Sequence, residues 1–358
     1  MDRFSIAVLI GDGIGPEVME QALRVVRRAA DLSGQVDVAL EILPAGLAAY
    51  ETHGATYPDE TRLAVDRSDA CFLGPLTTHL YTRPGMVNIS QHLRKTKTLY
   101  ANIRPVRTRP NVPAVHEDVD LVVVRENTEG FYADRNVLDG NGEMRIDEDT
   151  VVSMRVVTRR ASLNVAGHAF RLAEHRGRQR LVTAGHKANV LRRGCGLFLD
   201  ACRTTQQSYP NVRLEEMHVD ALGMQMVMRP QTLDVVVSTN LFGDILSDVA
   251  AGVVGGLGLA PGLNVGPSFV VAQAVHGSAT TIAGQGIANP CAEILTAGLL
   301  LDHLGESRGI PAACALAAVL DRAVDRALAE GSALTPDLGG NGTTADMGDA
   351  VLRALERG

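Results

Sequence analysis

Asp244 and Asp248 stand four residues apart in Asn240-Leu-Phe-Gly-Asp-Ile-Leu-Ser-Asp248. On a helix that spacing projects both carboxylates from one face. Two stacked carboxylates are a seat for a hard divalent cation such as Mg²⁺ or Mn²⁺. The plainer alternative is acids near a helix start that complement its dipole. The apolar Ile245 and Leu246 between them suit a core. Three arginines accompany the acids: Arg94 in Gln91-His-Leu-Arg-Lys95, Arg104 at the end of the predicted strand Leu99–Ile103, and Arg125 at the end of Val119–Val124. Strand ends in α/β folds open onto the ligand crevice, and guanidinium forks match carboxylates. Together they point to a multiply anionic substrate. Tyr132 and Lys187 have the chemistry for proton transfer. A lysine beside a metal and arginines has its ammonium form disfavoured, so a neutral base becomes accessible near pH 7. Taken singly, each group has an ordinary role: a surface ion pair, an amphipathic tyrosine, a solvated lysine.

Positioning these groups requires an α/β scaffold. The run Leu233–Val237 reads as a buried strand that feeds the helix carrying Asp244 and Asp248. Ser5–Ile10 reads as a strand. Gly11-Asp-Gly-Ile-Gly is a tight turn, and Pro16 opens a helix that stops at Gly34. The turn is one position short of a G-x-G-x-x-G fingerprint, which argues for a structural turn over a phosphate cradle. Strands are predicted at Val36–Leu43, Ala70–Leu73, Val151–Val157, Arg180–Thr183, Val212–Met217 and Ser268–Val275. Helices are predicted at Ser162–Glu174, Ala292–Leu304 and Ala312–Ala329. No long polar linker interrupts the chain, so two domains are expected to interweave and share continuous elements.

Composition bounds the function. A chain of 358 residues allows for two domains, and 46% hydrophobic content supplies a large core. The net charge of −7 argues against a nucleic-acid binder. Five cysteines without a Cys-x-x-Cys pair fit a reducing compartment. No secretory segment is visible, and Ala250–Leu263 is too short and too interrupted to span a bilayer. The expectation is a soluble cytoplasmic protein.

Several ordered motifs then resemble one family. They are Gly11-Asp-Gly-Ile-Gly-Pro-Glu-Val18, Tyr100-Ala-Asn-Ile-Arg-Pro105, Arg125-Glu-Asn-Thr-Glu-Gly-Phe-Tyr132, His186-Lys-Ala-Asn189, Val219-Asp-Ala-Leu222, Thr239 through Asp248, and His276-Gly-Ser-Ala279 with Gly284 through Pro290. Across essentially the whole length the chain resembles the metal-dependent β-decarboxylating dehydrogenases of isocitrate, homoisocitrate, isopropylmalate and tartrate. The resemblance implies an α/β, two-domain fold distinct from the classical Rossmann type. Residues 1–99 and 255–358 would form a large cofactor-binding domain, and 100–254 a small domain for dimerisation and substrate. The active site would lie between them and be shared by two subunits of a homodimer. Arg94, Arg104 and Arg125 would grip the malate-like carboxylates. Asp244 and Asp248 would hold Mg²⁺ or Mn²⁺, joined by Asp220 of the partner chain, with Lys187 and Asn189 also crossing over. A base formed by Lys187 and Asp220 would take the 2-hydroxyl proton as hydride leaves C2. Carbon dioxide would then leave C3, and Tyr132, helped by Lys187, would protonate the enolate carbon.

The same resemblance places the adenosine loop at His276, Gly277, Ser278, Ala279, Thr281, Ile282 and Asn289. Relatives that use NAD typically have an Asp where Thr281 stands, and bacterial NADP-dependent isocitrate enzymes have Lys then Tyr. Ile282 fits the NAD pattern and no cation replaces the Lys. The reading is NAD, with NADP left open by a neutral threonine. At the substrate, isopropylmalate enzymes place an acid and leucines where this chain has Val87, Ser90 and Gln91. An isopropyl group there would desolvate polar side chains. Asn88 and Ser90 repeat the Ser and Asn of bacterial isocitrate enzymes in exchanged order. His79 and Arg83 are candidate ligands for a distal anion. Isocitrate is therefore the first expectation, followed by homoisocitrate or a phosphonate such as phosphonomethylmalate, then isopropylmalate, with tartrate or an alkylmalate also open. A catalytically silent regulatory subunit is the alternative class. Retention of Tyr132, Lys187, Asp220, Asp244 and Asp248 argues against it.

Overall fold

The computed structural model describes residues 2–132 and 142–357. Its first half-sheet grows from parallel strands. The strand β1 (Asp2–Leu9) pairs in register with β2 (Val36–Leu43) on one side and with β3 (Ala70–Leu73) on the other. Between β1 and β2 the helix α1 (Gly15–Ser33) starts with proline in its first turn and stops at Gly34, which is left-handed at φ 59°. Glycine takes that conformation without a Cβ clash. Short helices α2 (Gly46–His53), α3 (Asp59–Arg67) and α4 (Ile89–Thr96) follow.

The middle of the chain supplies β4 (Ala101–Arg107) and β5 (Asp120–Glu126), then a separate hairpin of β6 (Glu143–Asp147) and β7 (Thr150–Ser153). Next come α5 (Arg159–Arg176), β8 (Leu181–His186), α6 (Arg192–Gln206), β9 (Arg213–His218), α7 (Val219–Met228), β10 (Val235–Ser238) and α8 (Asn240–Val253). The chain returns through β11 (Leu263–Val265) and β12 (Val270–Ala272) and closes with α9 (Cys291–Arg308), α10 (Pro311–Glu330) and α11 (Thr344–Glu356).

These strands form one 10-stranded sheet in the order β2-β1-β3-β12-β11-β4-β5-β10-β8-β9. Both flanks are parallel, while β12, β11, β4 and β5 pair antiparallel through the centre. This is a mixed α/β sheet, and its order is not the 3-2-1-4-5-6 of a Rossmann fold. The sheet is continuous across the chain ends and the middle, as the missing linker led us to expect. Parallel strands buried on both faces read as unbroken apolar runs. Val122, Val124, Val235 and Val237 serve the main core with α1, α5, α9, α10 and α11, while Leu121, Val123 and Val236 face α7 and α8.

Two expectations change here. Arg104 does not end a strand, because β4 continues through Pro105 to Arg107. The neighbour β11 covers only Ala101–Ile103, so beyond it one edge of β4 is free and can accept a residue with no N–H. The strand expected at Val151–Val157 stops at Ser153, in the small hairpin where Val151 and Val152 are exposed, and beyond it Val156 makes only an isolated bridge to Gly130. Among the described residues no helix is long and apolar enough to cross a membrane.

Candidate active site

The central antiparallel strands place four polar residues on one face of the sheet. Asn102 is opposite Arg125 on one side and Asn264 on the other, and Arg104 follows two residues later on the same face. Asn102 donates to Asn264 at 2.8 Å, and Asn127 donates to the same oxygen at 2.9 Å. Arg104 in turn donates from Nε to Asn102 at 2.8 Å. This buried amide network fixes the guanidinium before any ligand arrives.

The helix α8 crosses that face. Its first residue, Asn240, accepts two hydrogen bonds from Arg125, at 3.0 and 2.7 Å. One turn on, Asp244 meets both arginines: Arg104 Nη1 lies 3.1 Å from Oδ1, and Arg125 pairs with the same oxygen. Tyr132 donates to Oδ2 at 2.9 Å, with its ring under the Arg125 guanidinium. Arg104 also donates to Ser247 at 2.6 Å and lies 3.6 Å from Asp248. The close approach depends on Gly243, where a Cβ would come within 2.9 Å of the Arg125 Cβ and Cγ atoms. Asp244 and Asp248 do share one helix face, as their spacing predicts. Leu246 is buried, but Ile245 is 56% exposed and faces away from the core.

Electrostatics separates the two acids. Burial opposes ionisation of Asp244, but Arg125 and Arg104 together hold it below the ordinary carboxylate range. Asp248 is raised, first by burial and then by the Asp244 charge. Arg104 is pushed down to about 10 by burial and by Arg125. A carboxylate raised by a neighbouring carboxylate is one that a cation would relieve, so this pair fits a hard divalent ion. Among the described residues of one chain, no cluster of three or more His, Cys, Asp or Glu forms.

A cleft of about 210 Å³ opens beside this face, lined by Asn88, Ser90, Gln91, Arg94, Arg104 and His276 among others. Asn88 caps α4 by accepting from the Gln91 amide at 3.1 Å. Ser90 and Gln91, in the first turn of α4 after Ile89, line the cleft. Ser90 donates to Gln273 at 3.0 Å. Gln273, Asn102, Thr78 and Leu76 also line the cleft, and sequence reasoning missed them. Gln273 was detectable as the polar residue that ends the apolar run into β12. His79 and Arg83, expected near a distal anion, are exposed and do not line it.

Lys187 and Asp220 lie in a second place. The Lys187 ammonium donates to Asp220 at 2.7 Å, and this hydrogen bond holds the carboxyl below its usual range. Asp220 is 68% exposed and opens α7. Asn189 is exposed in the turn after β8. Within one chain Lys187 therefore pairs with Asp220, apart from the Arg104–Arg125–Asp244 cluster.

The loop from 276 to 289 closes the other side. Ser278 is buried, and its carbonyl accepts from the Ile14 amide at 2.9 Å. The Gly11 turn is thus a clamp: the Asp12 carboxylate accepts from the amides of Leu47 and Thr77 and from the Tyr81 hydroxyl. Gly286 donates to Glu17 at 2.8 Å, and Asn289 donates to Asp337 at 3.0 Å. Gly277, Ala279 and Thr281 are exposed, while Ile282 packs partly against the core. Ala279 takes a left-handed φ of 38°, a conformation uncommon for a residue with a Cβ. A Cβ at Gly277, Gly284 or Gly286 would meet nothing, so the loop offers open backbone to a ligand. That openness suits a dinucleotide.

Known proteins are similar to this chain in sequence and fold. A sequence profile described as isocitrate/isopropylmalate dehydrogenase matches residues 5–351. An isocitrate/homoisocitrate dehydrogenase of Thermus thermophilus is 42% identical over 355 residues, covering 99% of each chain. A 3-isopropylmalate dehydrogenase of Archaeoglobus fulgidus is 40% identical, covering 98% of this chain and 99% of its own. The crystal structure of an isocitrate dehydrogenase from Methylococcus capsulatus superposes with a TM-score of 0.86 at 40% identity and covers 99% of both chains. Full-length coverage at this identity, on a sheet of this order, makes the chain a member of the isocitrate/isopropylmalate dehydrogenase family.

Proposed function

We propose that the chain oxidises and decarboxylates a malate-type 2-hydroxy-3-carboxy acid whose C3 substituent is polar or anionic. It uses NAD and Mg²⁺ or Mn²⁺. Isocitrate comes first, then homoisocitrate or a phosphonate analogue. The observation that carries this reading is the cleft itself. Arg94 and Arg104 share it with Asn88, Ser90, Gln91, Asn102 and Gln273. An isopropyl group would strip water from these polar groups without replacing it. A second reading, an alkyl-bearing malate, draws on Leu76 and Val275 in the same cleft.

Asp244 and Asp248, with Asp220 of a second copy, would hold the metal. When bound, the ion supplies positive charge that acidifies the 2-hydroxyl and stabilises charge on that oxygen later. In the ligand-free chain the arginines and Asp244 satisfy one another. A cation on Asp244 leaves guanidinium donors for the acid's carboxylates. Arg94, Arg104 and Arg125 then orient the acid. Once its ammonium has given up a proton, Lys187, steadied by Asp220, would take the hydroxyl proton, and NAD, when bound, would accept hydride from C2. After CO₂ leaves C3, the Tyr132 hydroxyl protonates that carbon. The neutral, exposed Thr281 favours NAD without a charge to reject NADP.

A homodimer completes the site in this reading, with residues 1–99 and 255–358 as one domain and 100–254 as the other. Met224, Met228 and Ile245 on α7 and α8 are exposed, as are Met144, Ile146 and Val151 on the hairpin. Such an apolar surface beside Asp220 supports a second copy as its cover. The test is reduced-cofactor formation with Mn²⁺, using NAD and NADP against isocitrate, homoisocitrate, phosphonomethylmalate, isopropylmalate and tartrate. A tribasic or phosphonate acid should be preferred over isopropylmalate. Preference for isopropylmalate would overturn the polar-pocket reading.

A further inference from the structure

Glu293 stands in the first turn of α9, one layer behind the cleft. Its side chain is 0% exposed, and neither carboxyl oxygen has a hydrogen-bond partner of normal geometry. The side chain that faces it is His276, whose Nε2 lies 3.6 Å from Glu293 Oε1 and also lacks a partner. His276 lines the cleft and is only 10% exposed. Its other nitrogen, Nδ1, lies 3.1 Å from the Gly277 carbonyl. A carbonyl only accepts, so Nδ1 carries the hydrogen. In the neutral ring Nε2 is then a bare lone pair that faces the glutamate. An ionised carboxylate against a lone pair would be repulsive. A carboxylic acid O–H would complement it.

We propose that Glu293 is a positioning residue: as a neutral acid it donates toward His276 Nε2, fixes the ring's tautomer, and so holds the 276–289 loop in its dinucleotide-binding shape. This rests on the reading of that loop as the NAD site. Burial supports the protonation state, raising Glu293 to about 8 despite some relief from the Ala274 backbone. Burial also lowers His276, so the ring stays neutral. The surrounding charges are engaged elsewhere. Asp337, the anion felt by His276, accepts from Asn289 and Thr335. Glu17 on α1 accepts from Gly286, and Asp321 and Asp325 on α10 are held by Arg107 and Arg109. Cys291, two residues before Glu293, stays a thiol because burial pushes it up to about 12.

Deprotonation has a defined consequence. One proton leaves Glu293 for solvent, and the ring proton moves from Nδ1 to Nε2 to meet the carboxylate. Nδ1 then presents a lone pair to the Gly277 carbonyl, and the contact that orders the loop becomes repulsive. The raised acid contributes stability fully below the ordinary glutamate pKa, and that stability is lost as pH rises through about 8.

The test is NAD affinity of the full-length protein by calorimetry at pH 7 and pH 9, for wild type, Glu293→Gln and Glu293→Met. If only the protonated form binds, wild-type affinity weakens about tenfold between the two pH values. Glutamine donates N–H to Nε2 and cannot ionise, so Glu293→Gln should match wild type at pH 7 and stay flat to pH 9. Glu293→Met fills the space without a donor. It should weaken NAD severalfold at pH 7, raising KM for NAD more than it changes kcat. NAD binding in which Glu293→Gln keeps the wild-type loss at pH 9, or Glu293→Met equals wild type at pH 7, overturns this inference alone. Absence of dinucleotide binding by wild type at either pH overturns the NAD-site reading beneath it. The ¹⁵N shifts of the His276 ring in the ligand-free protein separate the two cases. A protonated Nδ1 and bare Nε2 at pH 7 support the proton arrangement, and the opposite tautomer contradicts it.

Discussion

The carboxylate–arginine face and the Lys187–Asp220 corner are built to different standards. Arg104 and Arg125 are almost fully buried and each makes several directed hydrogen bonds to amides, a serine or Asp244. Asp220, by contrast, is 68% exposed and among the described residues pairs with the Lys187 side chain. Buried charged groups held from several sides are ordered in advance of a ligand, whereas an exposed ion pair contributes about 1 kcal/mol or less to its own order. One half of the proposed site is thus organised within a single chain. The other half lies beside exposed apolar residues of α7 and α8, which in the proposed dimer a second copy would cover.

The largest test of this contrast is Lys187→Met. Loss of a proton-transferring group should lower turnover by about 10³-fold. Mn²⁺ affinity, measured by calorimetry, should stay nearly intact, because the substitution leaves all three proposed metal carboxylates, Asp220 included, in place. Arg104→Ala probes the organised half. Hydrogen bonds to charged groups are worth about 1.5–3 kcal/mol, so KM for the acid should rise about 10- to 100-fold in steady-state assays. Gly243→Ala is the subtler attack on the same half. Its Cβ would press α8 away from Arg125, at a cost of about 1–3 kcal/mol. A lowered Tm should accompany weaker acid binding, while the Lys187–Asp220 corner stays intact.

The smallest expected effect is on pH. Asp248 is raised and Asp244 lowered. On acidification Asp248 takes up its proton first, so Mn²⁺ affinity should fall while the Asp244–arginine cluster is still ionised. A titration of Mn²⁺ affinity that tracks Asp244 instead would reverse the assigned order.

Much of this was legible in the residues. The run Ala70–Leu73 was legible to the residue as β3, because a strand buried on both faces leaves no polar interruption, and the edge strand β2 was legible from its apolar residues despite Asp37 and Glu41. The pair Asp244 and Asp248 was legible because helical spacing is rigid. Arg104 was misplaced at a strand end because Pro105 reads as a stop. The free edge that tolerates it is set by the three-residue β11, far away in sequence. The Asn102–Asn127–Asn264 network was missed for the same reason. Its role comes from antiparallel register, which no local pattern encodes. Glu293 was missed because one acid in an apolar helix looks like a favourable dipole partner until its burial is known.

The central claim, a site shared by two copies, is tested most directly by subunit mixing. Lys187→Met and Arg125→Ala proteins should each be nearly inactive. In a mixed dimer one site draws its lysine from one chain and its arginine from the other, and is intact. Equal amounts at full exchange should recover about a quarter of wild-type activity, since half the dimers are mixed and each has one working site. Mixed dimers demonstrated by native mass spectrometry, with activity no greater than the sum of the parents, would contradict the shared site.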